Sequence, residues 1–310
     1  MLITSNCPYS CIHCYTSRFK GEPTREEVIS WLDKVSKLSD HIGITGGEPL
    51  ARKDIFDILE FAREKFEWLA LQTNLSLLTN EKAKRLKEIE LDIVYTSLDG
   101  HSKELHEAIR GSGSWSLLMG KLKMLKDVPF STVTTINSFN WNVVDRIAEK
   151  AEKLGASSAS FIPIIPAGRA SKDLMPTPKQ MKEAILKLSK TADHLNIPIY
   201  IWCYPSAKAI DEKGSLNVRP CPSTSLDIAP DGRILLCDTL DIQISHINKS
   251  IEDIIRDYEE SEWVKLVDNR RPEPCLDCPY FDFCKGGCYA RSLLVKGDIR
   301  SSDPLCSYRG

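Results

Sequence analysis

Along the first two thirds of the chain, apolar residues switch repeatedly between a period of about two and one of about 3.6. The short runs His41 to Thr45, Trp68 to Thr73, Leu91 to Ser97 and Phe130 to Ile136 read as strands. Between them, Val28, Trp31, Leu32, Val35 and Leu38 share one helical face, and Ile55, Ile58, Leu59, Ala62 and Phe66 share another. Glu81 to Ile89, Ser102 to Ile109 and the stretch carrying Val144, Ile147, Ala148, Ala151 and Leu154 continue the helical series. Met1 to Asn6 fits a strand ahead of all of these, Ala159 to Ile165 a sixth, and Ile197 to Trp202 one more. Between the last two, Pro178 suits the first turn of a helix that runs through Met181, Ala184, Ile185, Leu188, Ala192 and Leu195.

Such β-α alternation implies a parallel sheet. Six units fall short of a closed barrel of eight, so the expected fold is α/β: a partial, laterally open (β/α)6 TIM-like barrel with its site at the C-terminal ends of the strands. After about residue 203 the texture changes, with Pro, Gly and Cys frequent and periodic helices scarce. The exception is Ser250 to Tyr258, opened by Ser250 with Asp253 in the capping-box position. The expected division is residues 1–205 for the barrel and 206–310 for a smaller domain.

Composition narrows the function classes. With 310 residues, 42% apolar, the chain can form one large core or a domain plus a satellite. Its 41 basic and 43 acidic side chains are well mixed and leave a net charge of -2, which gives no electrostatic case for a nucleic-acid or membrane partner. No apolar run approaches the roughly 18 to 20 residues that span a bilayer, and Met1 to Asn6 lacks the features of a signal peptide. A cytoplasmic location is expected. There, eleven cysteines read as metal ligands rather than disulfides.

The candidate chemistry begins at Cys7, Cys11 and Cys14, three thiols within eight residues. At this spacing they can hold three corners of a [4Fe–4S] cluster and leave the fourth iron open. A zinc site completed by His13 is the alternative. Set after a strand and before a helix, this C-x3-C-x2-C resembles the signature of the radical S-adenosylmethionine (SAM) superfamily. The resemblance implies that the open iron chelates the amino and carboxylate groups of SAM. An electron from the reduced cluster then breaks the C5′–S bond, giving methionine and a 5′-deoxyadenosyl radical that abstracts a substrate hydrogen.

Further elements extend the resemblance. Gly46, Gly47, Glu48 and Pro49 close the second strand where this family has its Gly-Gly-Glu-Pro element, and a carbonyl or carboxylate there can accept from the SAM ammonium group. His13 holds the place of an aromatic near the adenine. Thr73 and Asn74 end the third strand, while Ser97, Asp99 and Arg110 look like the family's Ser-Leu-Asp-Gly and Arg-Gly pair, in which Ser and Arg reach the SAM carboxylate. Pro166, Gly168, Arg169 and Ala170 resemble a Pro-x-Gly-Arg-Ala element, where Arg169 could contact an anionic substrate group.

In the second half, ten residues separate Cys221 from Gly232 and four more precede Cys237; Cys275, Cys278, Cys284, Cys288 and Cys306 follow with gaps of 2, 5, 3 and 17. This pattern resembles the SPASM domain of many radical SAM maturases, which holds two auxiliary [4Fe–4S] clusters. The resemblance assigns Cys275, Cys278, Cys284 and Cys306 to an outer cluster, and Cys221, Cys237 and Cys288 to three corners of an inner one. Relatives with a fully ligated inner cluster carry a further cysteine where this chain has Ser215. That leaves an open iron, ligation by Cys203, or Cys203 as a buried structural thiol. Asp238 stands where sulfatase-maturating members of the family have a general base.

The resulting expectation is an enzyme with three clusters and SAM that cross-links or oxidises a peptide or protein side chain. It would draw electrons from a donor such as ferredoxin or flavodoxin, and would need a separate peptide-recognition protein or a substrate that requires none. A haem or other small-cofactor maturase is the alternative enzyme, and an iron–sulfur or zinc scaffold the alternative outside catalysis.

Overall fold

The computed structural model describes residues 1–221 and 225–308. Seven strands form one all-parallel sheet in chain order: β1 (His41–Ile44), β2 (Trp68–Thr73), β3 (Ile93–Ser97), β4 (Phe130–Ile136), β5 (Ser158–Pro163), β6 (Ile199–Ile201) and β7 (Asn217–Val218). The first and last strands do not pair with each other, so the barrel stays open. Helices α1 (Arg25–Val35), α2 (Ile55–Lys65), α3 (Asn80–Glu88), α4 (Lys103–Arg110), α5 (Ser114–Leu122), α6 (Val144–Lys153) and α7 (Pro178–Ala192) precede or connect these strands. Their boundaries have local causes. Thr24 and Glu27 form a reciprocal capping box on α1, and Thr177 and Gln180 do the same on α7, with Pro178 at its first position. Each cap is worth about 1 kcal/mol.

Two expectations need correction. Met1 to Asn6 lies beside β1 but joins the ladder only at the Leu2–Thr45 bridge. The segment is shared between two partners: the Ile3 N–H donates to Thr45 at 2.9 Å, while the Leu2 N–H donates to Ile228 at 2.8 Å in a second sheet. The barrel sheet also runs past residue 205, because Tyr200 and Ile201 of β6 pair with Asn217 and Val218.

The second sheet is antiparallel, made of β8 (Asp227–Ile228), β9 (Arg233–Leu235) and β10 (Gln243–His246) in the order β10-β9-β8. Gly232, at φ +83°, turns the chain into β9, and a Cβ there would sit 2.8 Å from the His246 ring. The helices that follow are more numerous than the sequence pattern suggests: α8 (Ile251–Glu260), α9 (Glu262–Asp268), α10 (Phe281–Cys284) and α11 (Tyr289–Lys296). Ser250 caps α8, but Asp253 returns its carboxylate to the Ser250 hydroxyl, so the box is not reciprocal. Ile228, Ile234, Ile247 and Leu305 share one core with Ile44, Leu71 and Val94 of the barrel. A second apolar cluster, around Ile165, Leu236, Leu240 and Tyr289, packs against Cys203, Cys221 and Cys237.

Candidate active site

The loop carrying Cys7, Cys11 and Cys14 is pinned across the open barrel from two sides. The Ile12 N–H donates to Ile109 at 3.1 Å at the end of α4. From the turn after β5, the Arg169 N–H donates to Cys14 and its Nε to Cys11, each at 3.0 Å. Gly168 has φ +62°, and a Cβ there would lie 2.5 Å from the Cys14 carbonyl and 2.6 Å from that of Tyr15. The Pro166–Ala170 turn therefore braces the cysteine loop. The Arg169 N–H and Nε are both committed to carbonyls of the cysteine loop.

Each thiol meets a polar neighbour: Asn74 Nδ2 at 3.5 Å from Cys7, Arg110 Nη1 at 3.9 Å from Cys11, and Thr16 Oγ1 at 3.3 Å from Cys14. Burial pushes the Cys7 and Cys11 thiols up. Bound metal offsets that cost by holding the deprotonated form. Among the described residues, no three of Cys7, Cys11, His13 and Cys14 bring their ligand atoms within 4.8 Å of one another, as one small ion would require. Three thiols spread around one rim, two facing N–H donors and one a hydroxyl, fit a cluster better than zinc.

The glycine pair has a steric cause within the chain itself. A Cβ on Gly46 would lie 2.6 Å from the Thr4 carbonyl, and one on Gly47 would lie 2.3 Å from that of Asn6. The missing side chains admit the backbone that leads into the cysteine loop, which accepts from Gly47 N–H at 2.8 Å and Glu48 N–H at 2.7 Å. Glu48 is fully buried, accepting from the Thr73 hydroxyl at 2.6 Å, Asn74 N–H at 2.7 Å and Leu50 N–H at 3.0 Å. Its carboxylate braces β1 against β2, and neither Glu48 nor Pro49 is on the wall of the cavity described below. Burial raises the Glu48 carboxyl, against the hydrogen bonds that hold it down.

Arg110 is held by Asp99, whose Oδ2 accepts its Nε at 2.5 Å. Burial alone would raise Asp99, yet the Arg110 guanidinium brings it below the usual carboxylate range. Arg110 also reaches His13 Nε2 at 3.4 Å. Burial lowers His13 to about 4, so the ring is neutral and its 3.6 Å approach to Asp99 is not an ion pair at neutral pH. With Nε2 accepting from Arg110, the proton sits on Nδ1, which is buried without a partner. An orphaned donor beside the cysteine loop suits a ligand with an acceptor there.

One cavity of about 360 Å³ joins the two halves of the chain. Its wall includes Cys7, Cys11, His13, Cys14, Gly46, Gly47, Thr73, Asn74, Ser97, Arg110 and Cys203 from the barrel, and Cys221, Cys237, Asp238 and Cys288 from beyond it. Tyr95 and Trp202, edge to face at 5.3 Å, and Val133, Ile162, Ile164 and Ile165 supply aromatic and apolar surface. A separate small cavity is lined by Cys275, Cys278, Cys284 and Cys306, with Tyr280, Phe281 and Tyr308 around them. Burial pushes Cys284 up to about 12 there. Gly287, at φ +80°, leaves room for Asp303, which a Cβ would meet at 2.4 Å.

Sequence reasoning missed the residues that couple the halves. Tyr15 donates its hydroxyl to Asp238 Oδ2 at 2.6 Å, and Arg18 Nη2 donates to the Asp238 carbonyl. Asp227 accepts the Asp238 N–H at 3.1 Å; burial and the Asp238 carboxylate beside it raise Asp227 to about 6. The adjacency of Tyr15 to Cys14 and of Asp238 to Cys237 was the available signal, but no periodicity brings the two pairs together.

Residues 1–151 match the family model described as the Radical SAM superfamily. Over 99% of its length the chain is 26% identical to the AdoMet-dependent heme synthase of Methanosarcina barkeri, covering 95% of that protein. It is 25% identical to the PqqA peptide cyclase of Bradyrhizobium diazoefficiens over 98% of the chain and 84% of the relative. The solved structure of native anSMEcpe with bound AdoMet superposes with a TM-score of 0.80 at 21% identity, covering 99% of this chain and 92% of that one.

Proposed function

We propose that this chain, whose residues 1–151 match the Radical SAM superfamily model, is a radical SAM maturase that acts on a peptide or protein side chain. The observation that carries the reading is the single cavity with Cys7, Cys11 and Cys14 on one side and Cys221, Cys237 and Cys288 on the other. In the proposed assignment the first three hold the SAM-binding [4Fe–4S] cluster, the second three belong to an inner auxiliary cluster, and Cys275, Cys278, Cys284 and Cys306 hold an outer one in SPASM-type arrangement. When bound, the clusters and SAM supply the electron transfer and the carbon radical that removes a substrate hydrogen.

The chain's own residues bind, orient and shield. Gly46, Gly47, His13, Thr73, Asn74, Ser97 and Arg110 form the SAM side of the wall, with Arg110 fixed by Asp99 to face an anionic group. Asp238 takes the substrate proton as general base, oriented by the Tyr15 hydroxyl. The apolar and aromatic wall excludes water from the reacting carbon. Among the described residues on that wall, Arg110 is the one Lys or Arg, and it is already paired. A tetrapyrrole precursor with several carboxylates would find few cations here, whereas a neutral side chain on a peptide suits the lining. Electrons would enter from a reduced ferredoxin or flavodoxin.

The haem-synthase relative keeps the tetrapyrrole reading as the second one, and one assay separates the two. Reduced, reconstituted protein is given SAM with either peptides encoded beside its gene or an iron tetrapyrrole, and 5′-deoxyadenosine is measured. The peptide reading predicts stimulation and a mass change with peptide. Stimulation by the tetrapyrrole alone would replace it with the second.

A further inference from the structure

We infer that Cys203 supplies the fourth thiolate of the inner auxiliary cluster, so that this cluster has no open iron and the substrate is held by the cavity wall. The inference rests on the proposed reading of the C-terminal cysteines as cluster ligands. It is carried by where two residues lie. Six positions before Cys221, Ser215 donates its hydroxyl to Asp193 at 2.7 Å and its N–H to Asp211 at 3.2 Å, and it is not on the cavity wall. Cys203, directly after β6, is on that wall together with Cys221, Cys237 and Cys288, and packs with them against the same apolar cluster.

The backbone at Cys203 supports the assignment independently. Its φ of +52° lies in the left-handed region, which a residue with a Cβ seldom adopts. The turn is fixed by Arg291, whose Nη2 donates to the Cys203 carbonyl at 2.8 Å, and by the neighbouring Tyr204, whose hydroxyl donates to Leu305 at 2.8 Å. A thiol acting as a small apolar filler has no use for an enforced turn, whereas a metal ligand must be aimed. Four thiols on one cavity wall, packed with a common apolar cluster, are the donor set that a fully ligated [4Fe–4S] cluster takes.

The test starts from a parent protein in which Cys7, Cys11 and Cys14 are all replaced by Ala, leaving only the C-terminal clusters. After anaerobic reconstitution the parent is expected to hold about eight irons, two clusters of four. Its reduced EPR spectrum is expected not to respond to added cyanide, which binds an open iron. In the same background Cys203→Gly removes the thiol while tolerating the left-handed turn. It is expected either to fall to about four irons, the outer cluster reporting that the domain is folded, or to keep about eight and gain a cyanide response. A parent that already responds to cyanide, or a glycine variant matching the parent in iron and spectrum, would overturn the inference. A parent without iron would instead overturn the cluster reading beneath it.

Discussion

His106 is 1% exposed beneath the site, its Nδ1 accepting the Asp99 N–H at 3.3 Å and its ring edge-on to Trp115 at 5.7 Å. Burial, with the Arg110 charge, lowers it from the usual 6.5 to about 4. Above pH 6.5 neither the folded nor the unfolded chain protonates this ring. As pH falls from 6.5 toward 4, the unfolded chain binds a proton that the folded chain does not, and stability is lost across that window. The loss from this residue alone approaches about 3 kcal/mol at its lower end. His106→Asn keeps an acceptor for Asp99 and removes the titration. Urea unfolding of the metal-free protein from pH 7 to 4 should therefore show a shallower decline in the variant, and equal declines would place the titration elsewhere.

At the scale of elements, the turn after β5 does more than its sequence suggests. Gly168→Ala would force a Cβ to 2.5 Å from the Cys14 carbonyl at φ +62°, a backbone conformation that costs roughly 1–2 kcal/mol for an L residue. Reconstituted iron should drop from about twelve toward about eight per chain as the N-terminal loop loses its brace, with the C-terminal clusters kept. Full iron in the variant would show that the turn is not needed. The strands from β1 to β6 were legible because both faces of a parallel sheet are buried, leaving short apolar runs between helical periods. β7 was not, being two residues long, and neither were α5, α9, α10 and α11, of which α9 and α10 carry too few turns for a period to show. The cysteine spacing anticipated which thiols share a cavity, with Cys275, Cys278, Cys284 and Cys306 around one and the other predicted ligands around another. The causes of Gly46, Gly47, Glu48 and Arg169 were not, since each serves a segment distant in sequence or a carbonyl that no pattern marks.

Over the whole molecule, the barrel and the cysteine-rich half are locked by Arg291 of α11. Wholly buried, it pairs with Asp303 at 2.7 Å and donates to the carbonyls of Pro163, Ile164 and Cys203 at the ends of β5 and β6. Arg291→Met would strand the Asp303 carboxylate in the interior, a loss of about 3–5 kcal/mol that guanidinium unfolding should register. A change within about 0.5 kcal/mol, as expected for an exposed pair such as Lys84 and Glu88, would show that the halves are joined by other means. The central claim is that Cys7, Cys11 and Cys14 bind the cluster at which SAM is cleaved in a cavity shared by both halves. It is tested most directly by measuring 5′-deoxyadenosine from SAM after anaerobic reconstitution and reduction, in the native chain and in the variant with those three cysteines replaced by Ala. Product is expected from the native chain and none from the variant, which still holds about eight irons. No product from a native chain with about twelve irons, or equal product from the variant, would contradict it.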